Sequence, residues 1–273
     1  MHEDAVAYIT AGAVFDVADI TFYADSRHRS LDEAIADAEV LVTCPDATAS
    51  WPAELEPWVS PALTRRRQDD VASGRARLVA RRWATIDPTV IYVENPHPRI
   101  VSHPDPSVLV SPDPDVVAEV AARGADVYRA ARLELVRRLV LARSNRPMRT
   151  LTAVTLHDEV TPRDEPAVLT LGNGGDHAGD PRPLDPFITM DPERLRLLAD
   201  SHRAGFGVRS HGEIALNRSR SECEETVGTA RDFDHVDAVR ADLSRAHLTD
   251  IETIEEVARR LRRSWLHYRT TAG

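Results

Sequence analysis

The chain contains no lysine: all 34 of its basic side chains are arginine. Schiff-base enzymes, pyridoxal-phosphate enzymes and P-loop nucleotidases place a lysine amine at the reacting or phosphate-binding position, so none of these is open to the sequence in its usual form. Arginine-favouring codon usage is the simplest cause. Positive charge is also short in total, 34 Lys and Arg against 44 Asp and Glu, for a formal net charge of −10 at pH 7. Neutralising phosphates requires a clustered excess of basic side chains, which excludes nucleic acid as an expected partner. Cysteine is limited to Cys44 and Cys223. Two are too few for a disulfide framework or a Cys-rich zinc site, and point to reduced thiols in a cytoplasm. No apolar run approaches the roughly 18 residues of a membrane span. The opening Met1-His2-Glu3-Asp4 is acidic where a signal peptide needs positive charge. A cytoplasmic protein without a membrane or nucleic-acid partner is expected, with a small-molecule substrate and an open oligomeric state.

What is present is enough apolar material, 42% of 273 residues, to bury one sizeable core. A single domain spanning 1–273 is therefore expected. Short apolar or β-branched runs at 40–43, 90–93 and 150–156 read as strands. Each is followed by polar residues: Cys44-Pro45-Asp46 after the first, the proline-rich stretch after the second, His157-Asp158-Glu159 after the third. Residues 62–83 suit a surface helix with one buried stripe, at Leu63, Val71, Leu78, Val79 and Trp83. Between 94 and 114 six prolines forbid helix and make poor central strand, which predicts a long, stiff loop. From 115 to about 144 apolar positions recur near the 3.6-residue period, predicting one helix with Asp115 as a cap. Further helices are expected over 192–202 and 251–268, and Gly172-Asn173-Gly174-Gly175 reads as a turn. Strands alternating with helices predict a sheet sandwiched between helix layers. In such sheets ligands bind where strands end, which singles out Asp46 and His157.

The order of segments from about 40 to 250 resembles that of the N-formylglutamate amidohydrolases. The family's Pro-His-Ala/Ser-Gly stretch, which supplies a metal-binding imidazole, is matched by Cys44-Pro45-Asp46-Ala47, with the later proline as Pro52. Asp46 thus stands in place of the histidine. An acidic segment about two dozen residues on is matched by Gln68-Asp69-Asp70-Val71, where Asp70 keeps a carboxylate. The family's Arg and Val-Asp-Leu-Asn-Arg are matched by the stretch from Pro98 to Asp105, in which the first arginine survives as Arg99. Its Tyr-rich helix looks like the segment around Tyr128, and its Asp-x-His-Ser strand end like Thr155-Leu156-His157-Asp158. The Gly- and Asn-rich substrate loop is similar to residues 205–217, ending in Asn217. Val239-Arg240-Ala241-Asp242-Leu243 aligns with Val-Gln-Leu-Glu-Leu, which places Asp242 where a glutamate stands.

The resemblance implies an α/β fold, a three-layer α/β/α arrangement with a mixed central sheet of the zinc-carboxypeptidase or phosphorylase-hydrolase type. It implies a divalent metal held by Asp46, Asp70 and His157, with zinc first, and with manganese or iron as alternatives because two carboxylates and one imidazole form a harder set. Asp242 would be the general base, shortened by one methylene, about 1.5 Å of reach. Arg99, His103 and Asn217 would bind substrate, Arg99 by clamping a carboxylate, unless it only forms an ion pair with a neighbour. The expected activity is metal-dependent hydrolysis of an amide or related C–N bond in a small, carboxylate-bearing, N-acyl amino acid-like molecule. The alternative is a catalytically silent member that binds a small molecule or a partner protein. His97, His103, His211 and His235 are candidates to replace the lost imidazole. Asp158 and Glu159 are candidates to orient His157, and Glu224-Glu225 could supply another base; solvation is the simpler role for both pairs.

Overall fold

The computed structural model describes residues 6–103, 105–144, 150–160, 167–210, 212–218 and 223–272. The strands are β1 Tyr8–Ile9, β2 Thr21–Tyr23, β3 Val40–Cys44, β4 Trp51–Pro52, β5 Val90–Glu94, β6 Leu151–Glu159, β7 Leu169–Gly172, β8 Ile214–Leu216 and β9 Val236–Ser244. The helices are α1 Val17–Ile20, α2 Leu31–Asp37, α3 Arg65–Val71, α4 Gly74–Ile86, α5 Pro114–Ala122, α6 Ala125–Arg143, α7 Pro192–Phe206, α8 Glu224–Asp232 and α9 Ile251–Ala272.

Seven strands form one mixed sheet in the order β2-β5-β3-β6-β9-β7-β8. The four central strands β5, β3, β6 and β9 run parallel, so their carboxyl ends share one edge. β2 pairs antiparallel with β5, and β7 antiparallel with β9, with β8 parallel to β7. The central strands read as continuous apolar runs because helices cover both faces, as buried parallel strands require. Their side chains alternate between two cores. Val40, Val42, Val154, Leu156, Val239 and Ala241 face a core closed by Val79 and Trp83 of α4, Leu198 of α7, and Leu261 and Trp265 of α9. Leu41, Ile91, Ala153 and Ala238 face the opposite core, closed by Ile35 of α2 and Leu135, Val136 and Leu139 of α6. This three-layer α/β/α arrangement around a mixed sheet is the expected fold class. Among the described residues no helix is long and apolar enough to cross a membrane.

Several elements differ from their sequence reading. The helix expected over 115–144 is two, α5 and α6, broken at Arg123 and Gly124. A Cβ at Gly124 would fall 2.6–2.9 Å from the His97 ring, so at the break that ring lies against bare backbone. The cap is Asp113, whose carboxylate accepts from the Asp115 amide at 2.9 Å, with Pro114 as the first helical residue. The helix over 62–83 is likewise two, α3 and α4. The proline-rich stretch is ordered through a small satellite core, where Val101 and Leu109 are buried with Trp51 and Leu55. β6 runs on to Glu159, paired along its length with β9, so His157 and Asp158 are strand residues and point to opposite faces.

Candidate active site

A cleft of about 500 Å³ opens at the shared carboxyl edge, lined among others by Asp46, Arg99, His157, Cys223, Glu225 and Arg240. Asp46 sits two residues beyond β3. Its carbonyl accepts the Ser73 amide at 2.6 Å, and the preceding Pro45 carbonyl accepts from Asn95 Nδ2 at 3.0 Å. His157 lies on β6 on the face that also carries Thr155, whose hydroxyl meets that of Thr226 on α8 at 2.9 Å. Cys223 is the residue immediately before α8.

These three side chains form a relay. His157 Nδ1 is 3.4 Å from Asp46 Oδ2, and His157 Nε2 is 3.8 Å from Cys223 Sγ. Asp46 and His157 are largely buried, and Asp46 Oδ1 has no hydrogen-bond partner among the described residues. Burial disfavours the charged imidazole, but hydrogen bonding and charge from Asp46 and Cys223 outweigh it and raise His157 to about 10. Burial also pushes the Cys223 thiol up, but the His157 contact and charge prevail and hold it below its ordinary value. Cys44, wholly buried, is pushed well up by burial and by Asp46, Asp158 and other carboxylates nearby.

The cleft carries both signs of charge. Glu225 accepts from Tyr128 Oη at 2.8–2.9 Å and from the Thr43 hydroxyl, and lies 3.8 Å from Arg132. Burial and then the Glu225 charge hold the Tyr128 phenol well above its ordinary range. His103 Nε2 contacts Glu224 at 3.2 Å on the rim. Arg99 is exposed, and among the described residues no carboxylate ion-pairs with it.

The remaining predicted site residues lie elsewhere or are already engaged. Asp242 is beside His157 in register across β6 and β9. It is nearly inaccessible and takes a two-pronged contact from Arg240 Nε at 2.8 and 2.9 Å, so the expected base is an anchor for a cleft arginine. Asp70 is half exposed on α3, 4.0 Å from Arg66 and 3.8 Å from Arg245; it does not line the cleft. Asn217, in the left-handed backbone region at φ 47°, bonds Asn173 and the Asp176 carbonyl at 2.6–2.9 Å and clasps the Gly-rich turn. Asp158 faces away from His157; its Oδ2 accepts the Ala76 amide at the start of α4 at 2.7 Å, and Oδ1 meets Arg245. His97 packs edge-on against Phe15, His235 precedes β9 away from the cleft, and His211 lies outside the described residues. Sequence reasoning passed over Cys223 and Arg240. The one local signal for Cys223 is its position directly ahead of an acidic helix start, which many inert cysteines share.

The implied metal does not fit this donor set. Asp46 and His157 are adjacent, but Asp70 is turned to arginines outside. Among the described residues no group of three His, Cys, Asp or Glu side chains is arranged to hold a metal ion. Four arginines, Arg99, Arg129, Arg132 and Arg240, line the same cleft beside Asp46, Glu224 and Glu225, and three of the four already face a carboxylate, Arg129 with Asp126, Arg132 with Glu225 and Arg240 with Asp242.

No family profile matches the sequence, and no curated protein does. Solved structures do match. The product Atu2144 of Agrobacterium tumefaciens superposes with a TM-score of 0.59 at 15% identity, over 92% of this chain and 98% of that one. An N-formylglutamate amidohydrolase from Ralstonia eutropha JMP134 superposes with a TM-score of 0.54 at 12% identity, over 86% and 93%. At such identities the likeness establishes the shared fold.

Proposed function

We propose that the chain hydrolyses an amide or related C–N bond in a small, carboxylate-bearing, N-acyl amino acid-like molecule. The observation that carries this reading is the meeting, in one cleft at the sheet's carboxyl edge, of the Asp46–His157–Cys223 relay and the carboxylate-free Arg99. The relay offers groups that move a proton at a reacting nitrogen. The arginine offers a two-pronged grip on a substrate carboxylate. The cleft volume suits a molecule of amino-acid size rather than a polymer. The segment order shared with the N-formylglutamate amidohydrolases, and the fold shared with one of them, support the same reaction class.

In this reading Arg99 binds, His157 donates a proton to the departing nitrogen, and His103 borders the entrance. Arg240, held by Asp242, faces the acyl side of the cleft. Incubating the purified chain with N-formyl- and N-acetyl-glutamate, -aspartate and -leucine, and assaying the freed amine, tests the reading. The acidic acyl amino acids are expected to be cleaved. Arg99→Ala is expected to raise KM by about 10-fold or more with a smaller effect on kcat, the signature of lost uniform binding. Failure of every N-acyl amino acid would sink the substrate class.

A further inference from the structure

We propose that Cys223 is the nucleophile of this cleft, so that the protein is a metal-independent cysteine hydrolase built on this fold; the inference rests on the C–N hydrolysis reading above. The geometry has three parts. Sγ lies 3.8 Å from His157 Nε2, while the opposite ring nitrogen is 3.4 Å from Asp46 Oδ2, so a carboxylate orients the ring that faces the sulfur. Such nucleophile–base contacts are commonly loose before substrate binds. Cys223 also lines the open cleft, whereas Cys44 is fully buried. Finally, Cys223 immediately precedes the nine-residue α8, whose first-turn amides lack intrahelical acceptors, and the Thr226 amide of that turn bonds the sulfur. Asp46 and His157, two members of the ligand set that fails as a metal site, form with Cys223 a nucleophile, a base and an orienting carboxylate.

In the first half-reaction, the sulfur electron pair attacks the carbonyl carbon, a C–S bond forms and the C–N bond breaks. The leaving nitrogen takes the proton held on His157 and departs as a free amine. In the second, water adds to the thioester carbon as His157 removes its proton. The C–S bond then breaks, the sulfur keeps its electron pair and the carboxylic acid leaves. One water is consumed per bond cleaved, and no oxidant or reductant is needed. Cys223 and His157 touch the reacting atoms, and Asp46 positions the ring.

The test uses p-nitrophenyl acetate as acyl donor on the full chain in excess EDTA. The expected result is a burst of nitrophenolate and an acetyl group mapped by mass spectrometry to Cys223, labile to hydroxylamine. It is expected to be absent from Cys223→Ala and slowed about 100-fold in His157→Gln. Asp46→Asn is expected to slow acylation about 10-fold at saturation while leaving the half-saturating concentration unchanged; a merely structural aspartate would shift both. Circular dichroism of each variant, with Cys223→Ser as the smallest change, separates lost chemistry from lost fold. No acetyl on Cys223 of the folded wild type, or equal acylation in folded His157→Gln, overturns the proposal. So does N-acyl amino acid cleavage that EDTA abolishes or that Cys223→Ala retains, and in that case the reaction class survives. Acetylation of Cys223 without cleavage of any N-acyl amino acid upholds the nucleophile and rejects the substrate class.

Discussion

His157 and His202 are both buried, and their neighbours drive them in opposite directions. His157 lies between a carboxylate and a thiol and is raised to about 10. His202, on α7 near Trp83, Leu198 and Trp265, has no partner at Nδ1 among the described residues, and burial lowers it to about 3. His97 is lowered to about 4, by burial first and then by Arg123. The signs follow by linkage. For His202 and His97 the unfolded chain binds its proton near 6.5 and the folded chain does not, so stability is lost as pH falls from about 6.5 towards 3. For His157 the contribution is full below 6.5 and is lost as pH rises through about 10. Each unit of the acid window removes up to about 1.4 kcal/mol per histidine. Urea unfolding of wild type at pH 7 and pH 4, compared with His202→Leu over the same interval, is expected to show a pH-dependent loss smaller in the variant by about 1–3 kcal/mol. Equal losses would mean that His202 is protonated in the folded protein.

At the level of elements, α7 and α9 approach through a single missing side chain. A Cβ at Gly205 would lie 2.6 Å from the Ser264 amide and 2.8 Å from the Arg260 carbonyl. The Ser264 hydroxyl lies nearer still, and the α9 backbone behind it cannot yield. Gly205→Ala should therefore destabilise despite its better helix propensity, by about 1–3 kcal/mol or more as overpacking does, read from the shift of the thermal midpoint. A variant as stable as wild type would mean that the two helices slide apart freely. The same kind of contact explains what periodicity could not show. The apolar repeat over 115–144 is continuous, because both α5 and α6 bury a stripe, and it carries no sign of the break at Gly124, where His97 packs on bare backbone. The strands were legible because both-face burial writes a continuous apolar run. The continuation of β6 through His157 to Glu159 was not, because polar residues pairing with β9 look in sequence like a strand's end.

For the whole molecule, the layering, the order of elements and the placement of Asp46 and His157 at one edge follow from pattern and from the family resemblance. The partners of those residues do not. Asp242 and Arg240 are two apart and form their own pair, Asp70 answers to Arg245, and Cys223 reaches His157 from a segment 66 residues distant in sequence. Each of these depends on which long side chain arrives first, and spacing along the chain carries no record of it. The sheet also predicts its own order of opening. β3, β6 and β9 are interior strands, whereas β2 and β8 are three-residue edges. Hydrogen exchange is expected to protect the first three longest and to release β2 and β8 early, and uniform exchange across the sheet would contradict the arrangement.

His157 and Asp158 are neighbours in the chain yet serve opposite layers, one turned to the cleft and the other holding the start of α4 and Arg245. Strand side chains alternate, so a shift of β6 by one residue would exchange them, bringing a carboxylate to the sulfur and an imidazole beneath α4. A single-codon deletion anywhere between 151 and 156 would therefore strike reactivity and architecture together.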